Sequence, residues 1–311
     1  KPGQQIVVAT VADLGGLEIQ DYGYPLARQA QIGGHEHDTG VVLLVAPTMR
    51  KGRIDGGYWV DGDTTDAMTS DHSPTPFPPQ LLQQGWEAIQ QARAANARTQ
   101  RERDWIEALA PFYEGHATID QQTRTQRYAD TMGRLHERYP ADSEAAVFYA
   151  LALLEAVDLS DKTYASQLKA AAILEGLQKS QPNHPGIVHY IIHAYDYAPI
   201  ANKGLPAARS YAALAPSAPH ALHMPSHIFS TLGMWQDAIS ANLAADQAAR
   251  NYAASTSATA KANPASVPGR YHALDFLVNA YLQIAQDRRA KAILDERNSP
   301  GATPSGGSIT A

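Results

Sequence analysis

Between residues 74 and 79 four of six positions are proline: Pro74, Pro76, Pro78 and Pro79. Neither a helix nor an interior strand runs through such a stretch, because each ring removes a backbone donor and fixes φ. The 311-residue chain is therefore expected in two parts, joined by a proline-rich linker over 71–80. Residues 1–70 carry strand signals: Ile6 to Val11 is a β-branched run, and Thr39-Gly40 precedes Val41-Val42-Leu43-Leu44-Val45. Ile19 to Ala30 is compatible with a helix stopped by Gly33-Gly34, and Arg53 to Val60 is expected as one further strand, weakened by Gly56-Gly57. A small α/β segment follows from that order.

Residues 81–296 have another texture, rich in Ala, Leu, Gln, Glu and Arg at helical spacing and punctuated by Pro and Gly. Antiparallel helix pairs are expected at 101–114 with 120–138, 142–157 with 163–180, 185–196 with 204–214, 219–233 with 236–251, and 268–284 with 287–296. Leu232-Gly233-Met234-Trp235-Gln236-Asp237-Ala238 aligns with Ile284-Ala285-Gln286-Asp287-Arg288-Arg289-Ala290, which places a tight turn at Gly233 and at Ala285. The expected fold is thus mainly α, a superhelix of antiparallel helix pairs preceded by the α/β segment. Residues 297–311, rich in Gly and Ser, are expected as a flexible tail.

Several function classes drop out on composition. With 25 basic and 31 acidic side chains the formal charge is −6, which gives no electrostatic footprint for nucleic acid. Cysteine is absent, so disulfides, thiolate nucleophiles and cysteine-held metals are excluded. No apolar run approaches the roughly 20 residues of a membrane-spanning helix. The Gly15-Gly16-Leu17-Glu18 turn lacks the Gly-Lys-Ser/Thr ending of a phosphate loop, and no nucleotide cofactor is expected. A chain that begins at Lys1 without methionine or signal peptide is expected to be processed or trimmed.

Histidine is the uneven residue. Six of the twelve histidines fall between His184 and His227, where an even spread would put about two. His189 and His193 are four apart on one helix face, with Asp196 on the same stripe. His220, His223 and His227 share another face, provided that Met224-Pro225 is a kink; a helix start at Pro225 weakens the placement of His220 more than that of His223 and His227. Imidazoles from neighbouring first helices of a repeat array would converge on the concave groove. The expected metal ligands are His189, His193, His223, His227 and Asp196, with His220 and His272 as extensions. Zinc is the first expectation, with copper or nickel as other imidazole-binding ions. Three such ligands leave a position for water, whose pKa zinc lowers to about 7. His184 and Glu102 are candidate catalytic acid/base groups. The plainer alternative is that these rings hydrogen-bond across helices and specify packing. His189-Tyr190-Ile191-Ile192-His193 lacks the glutamate of a zinc peptidase helix, and no Gly-x-Ser-x-Gly surrounds Ser226. In the first part, Glu36, Asp38 and Asp66 form a candidate cation site, for calcium.

Two resemblances overlie this reading. Arg101-Glu102-Arg103, Phe148-Tyr149-Ala150-Leu151, Asn183-His184-Pro185-Gly186, His189 to Asp196, and Ala218 to Phe229 resemble bacterial tetratricopeptide-repeat (TPR) proteins of uncharacterised activity, over roughly 85–296. That resemblance implies a concave groove that takes a small molecule, peptide or protein. Gln4 to Val8, Leu17 to Tyr22, Asp38 to Pro47, Arg53-Ile54, Gly57-Tyr58 and Thr65-Asp66-Ala67 resemble a TPM domain, over residues 4–70. It implies an extracytoplasmic, periplasmic or secreted, protein and phosphatase activity. Trp59 stands where that family has glycine, and the family's opening and closing helices are missing, which suggests a fusion of two fragments. Three functions are thus in view: a metal-dependent hydrolase of phosphatase or esterase type on the histidine groove, a non-catalytic TPR scaffold, and phosphatase activity of the TPM-like segment.

Overall fold

The structure is a computed structural model that describes residues 6–10, 41–46, 51–54, 58–60, 79–95, 97–255 and 270–297. The protein is mainly helical. It divides into two compact units, 1–194 and 195–311. The proline run over 74–78 and the expected helix over 19–30 lie outside the described residues, as do Glu36, Asp38 and Asp66.

In the first unit four strands, β1 (Ile6–Thr10), β2 (Val41–Ala46), β3 (Lys51–Ile54) and β4 (Tyr58–Val60), form one sheet in the order β1-β2-β3-β4. β1 pairs parallel with β2 in the register Ile6↔Val41, and β2 pairs antiparallel with β3. The single strand expected over Arg53 to Val60 is instead two antiparallel strands, with Arg53 opposite Trp59 and Ile54 opposite Tyr58. Asp55-Gly56-Gly57 between them is turn-forming chemistry, which outweighs the β propensity on either side.

Six helices follow: α1 (Pro79–Ala94), α2 (Gln100–Tyr113), α3 (Gln121–Arg138), α4 (Ser143–Glu155), α5 (Ala165–Gln178) and α6 (Pro185–Tyr195). From α1 to α5 each helix packs on the next. Their starts are written in the sequence. Thr99 and Glu102 close a reciprocal capping box on α2, with the Glu102 carboxylate accepting from the Thr99 backbone N–H at 2.8 Å. Asp120 caps α3, and the backbone N–H and hydroxyl of Thr123 hold its carboxyl below the ordinary carboxylate range. Asp142 caps α4 and also accepts from Arg101 and from the Trp105 indole at 3.2 Å, so one carboxylate ties α2 to the start of α4. Ile89, Phe112, Tyr113, Tyr128, Met132 and Leu135 form the apolar core between α1, α2 and α3.

The second unit holds a 3-10 turn (Ala201–Gly204), α7 (Leu205–Leu214), α8 (Pro219–His223), α9 (Pro225–Thr231), α10 (Trp235–Ser255), α11 (Arg270–Gln283) and α12 (Asp287–Arg297). α10 packs against α8, α9 and α11, and α11 against α12. The aligned turns share one backbone device. Gly233 has φ +71° and Ala285 φ +55°. Met234 N–H donates to the Phe229 carbonyl at 2.7 Å and Gly233 N–H to that of Ser230 at 3.0 Å, while Gln286 donates to Tyr281 at 2.8 Å and Ala285 to Leu282 at 3.1 Å. Both are Schellman closures, and Ala285 performs with a strained φ what Gly233 does without strain.

The far end of this unit is clamped by ions. Arg270, 4% exposed, pairs with Asp246 on α10 and Glu296 on α12, and Arg250 pairs with the same two carboxylates. Burial acts to raise the Glu296 carboxyl, but hydrogen bonds from Arg270 and Arg250 outweigh it and hold the group below its ordinary value.

Candidate metal centre

The chain from Ala218 to Thr231 is one helical path interrupted by a proline. Pro219 opens α8 at the position where a missing N–H costs nothing. Pro225 then removes the donor that would bond the carbonyl of Ala221, and α8 gives way to α9. Met224 between them keeps helical angles, φ −49° and ψ −39°. His223 and His227 therefore stay one turn apart on one face, their Nε2 atoms 3.0 Å from each other, and both are buried. A new helix thus starts at Pro225, and of the three histidines it is His220 whose placement suffers, outside the close set.

The other nitrogen of each ring is held by a different helix or loop. His227 Nδ1 lies 2.8 Å from Asp196 Oδ2, just beyond α6, and Asp196 Oδ1 accepts from the Thr231 hydroxyl at 2.9 Å. A carboxylate only accepts, so His227 carries its proton on Nδ1. His223 Nδ1 lies 2.6 Å from Asn242 Oδ1. Asn242, 0% exposed on α10, donates through Nδ2 to the Ala238 carbonyl at 2.8 Å, which orients its amide oxygen towards the ring. His223 is thus also an Nδ1–H tautomer. Both Nε2 atoms then face each other as lone pairs.

The third imidazole comes from α11. His223, His227 and His272 each place a ring nitrogen within 4.8 Å of the others, a set of three that could hold a metal ion. Phe276, one turn after His272, lies against all three rings, with centroids 4.9, 4.7 and 5.0 Å away.

The structure brings together some of the expected ligands and not others. His223 and His227 lie together with His272, which was expected only as an extension, in the group of three ring nitrogens. Asp196 is the partner of His227. The stripe on α6 suggested a closer tie to His189, but a contact 31 residues along the chain has no local signal. His220 has its ring 5.9 Å from His223 and is outside the set of three. His189 and His193 are buried in the first unit, their Nε2 atoms 3.1 Å apart. His184 and Glu102 were expected as acid/base groups. His184 instead accepts from the Ile187 N–H through Nδ1 at the start of α6 and contacts Glu144 through Nε2 at 3.1 Å, and Glu102 is occupied in its capping box. Those contacts are helix-end chemistry, for which both residue types are equally suited. Asn242, Thr231 and Phe276 were missed. The only hints were a polar residue inside the Ala-rich run of α10 and a phenylalanine four places after a histidine.

Residues 1–96 match the TPM domain, the TPM phosphatase family. The match spans β1 to β4 and continues through α1, past the proline run. No curated protein and no solved structure matches the chain. Among the described residues no helix is long and apolar enough to cross a membrane.

Proposed function

We propose that the second unit binds one divalent transition-metal ion, zinc before copper or nickel, through His223, His227 and His272, and that the protein is a hydrolase of ester-type bonds. The observation that carries this is the pair of Nε2 lone pairs 3.0 Å apart, each ring's proton being committed to Asp196 or Asn242. Two acceptors at that distance repel unless positive charge lies beside them. Imidazoles bound to zinc at about 2.0 Å bring their nitrogens to a similar separation. The carboxylate behind His227 is the partner a ligating imidazole takes, since it fixes the tautomer and raises basicity. Held by these three imidazoles, zinc would supply Lewis-acid polarisation of an ester or phosphoester oxygen and acidify a water for hydrolysis. The first unit's His189–His193 pair has the same facing nitrogens, so metal content is to be read for that pair separately.

The helix pairs and their repeated Schellman turns support a TPR-type array, whose groove would admit a small molecule or peptide. A second reading rests on the family match: phosphomonoester hydrolysis by residues 1–96, with a cation such as calcium at Glu36, Asp38 and Asp66, in an extracytoplasmic protein. Elemental analysis with p-nitrophenyl phosphate turnover separates the two. Zinc and turnover that vanish together in His223→Ala/His227→Ala support the first. Turnover that survives those changes supports the second. A metal-free, inactive chain leaves a TPR scaffold.

A further inference from the structure

Six centroid separations among His223, His227, His272 and Phe276 run from 4.6 to 5.6 Å. Four points so nearly equidistant are the corners of a tetrahedron. An imidazole bound to zinc through nitrogen at about 2.0 Å has its centroid about 3 Å from the ion, so tetrahedral ligands have centroids about 5 Å apart. The three histidines occupy three such corners, and the phenyl ring stands at the fourth. We infer that Phe276 governs entry of the fourth ligand: with the ring in place the ion is a closed three-imidazole centre, and water or substrate enters only as the ring turns aside.

The inference rests on the metal reading of the same three histidines. The phenyl ring offers no lone pair, yet its face tolerates a cation within about 6 Å, so it can cover the ion without displacing it. Phe276 is only partly buried, which leaves room for its side chain to move. It shares α11 with His272 one turn away, so a movement of the ring need not disturb the ligand. A covering apolar ring also disfavours six-coordinate ions, which need three open positions where this site has one covered corner. Phe276 is thereby a positioning residue that selects for low coordination number and excludes bulk water.

Cobalt(II) reports this directly, because its visible absorption is strong when four-coordinate or lower and weak when six-coordinate. The full chain is loaded with cobalt and titrated with azide, alongside Phe276→Ala and Phe276→Leu. The wild type is expected to show a spectrum that azide shifts little, and Phe276→Ala one that azide shifts at a concentration about tenfold lower. Phe276→Leu keeps most of the bulk and is expected between them, which covers the case in which the alanine variant does not fold. Equal azide affinity in all folded variants overturns the role of Phe276 while leaving the metal site standing. Cobalt that binds none of them overturns the metal reading and this inference with it.

Discussion

Two buried polar networks, one around Arg124 in the first unit and one around His223 and His227 in the second, are built to opposite ends. In the first, Arg124 is 3% exposed and donates to the carbonyls of Phe112 at 2.6 Å and Ile119 at 3.2 Å, while the Thr131 hydroxyl reaches that of Ala108 at 2.7 Å. These groups close loops and helix ends on backbone oxygens. In the second, Asp196, His227, His223 and Asn242 are held side chain to side chain, and the outcome is two ring nitrogens aimed at each other. A network that ends on backbone serves stability, because every donor meets an acceptor that folding would otherwise strand. A network that ends on facing lone pairs is costly by itself and becomes favourable when a cation arrives.

Substitution should break this contrast most sharply at Arg124. Arg124→Met strands the Phe112 carbonyl in a buried site and is expected to cost about 3 kcal/mol in urea unfolding. His223→Leu in metal-free protein, by contrast, removes a repelling ring while stranding the Asn242 amide oxygen, and the two effects should offset to leave stability changed by less than about 1 kcal/mol. If the two cost the same, the distinction between the two networks fails. Next in size is Arg270→Met, which releases the clamp of α10, α11 and α12 and should cost about 2 kcal/mol at neutral pH. Its pH dependence follows from Glu296. Because that carboxyl is held low in the folded state, its contribution is present above the unfolded value of about 4.3 and is lost as pH falls through the folded value. The stability gap between wild type and Arg270→Met should therefore narrow in acid.

Asp196→Asn keeps the shape but removes the charge behind His227, and zinc affinity measured by competition with a chelator should fall about tenfold to a hundredfold. An unchanged affinity would mean that the carboxylate only braces Thr231. The smallest effect tests the repeated turn. Ala285→Gly relieves a positive φ and should raise stability by about 1 kcal/mol, read as a higher thermal midpoint.

That turn also marks what the sequence discloses. Pro, Gly and the capping residues act within four or five positions, so the helix spans from 101 to 296 are legible almost to their ends, and the match of Gly233 with Ala285 anticipates one hydrogen-bond pattern at both. The β3–β4 hairpin is less legible, because Gly56-Gly57 suits a weak point within one strand as well as the break between two. At the site, His223 and His227 were legible because one helical path sets their spacing. Asp196 as a partner of His227, Asn242 behind His223, and His272 with Phe276 as the opposite wall depend on how α10 and α11 pack. No local periodicity carries that information.

The most direct measurement is zinc titration of the full-length chain, followed by nitrogen-15 NMR of the histidine rings. Saturation at the second unit's site, lost in His223→Ala/His227→Ala, with the Nδ1 atoms of His223 and His227 protonated and their Nε2 atoms shifted by the ion, is the predicted result. A chain that takes up no zinc and carries a proton on the Nε2 of either ring would contradict it.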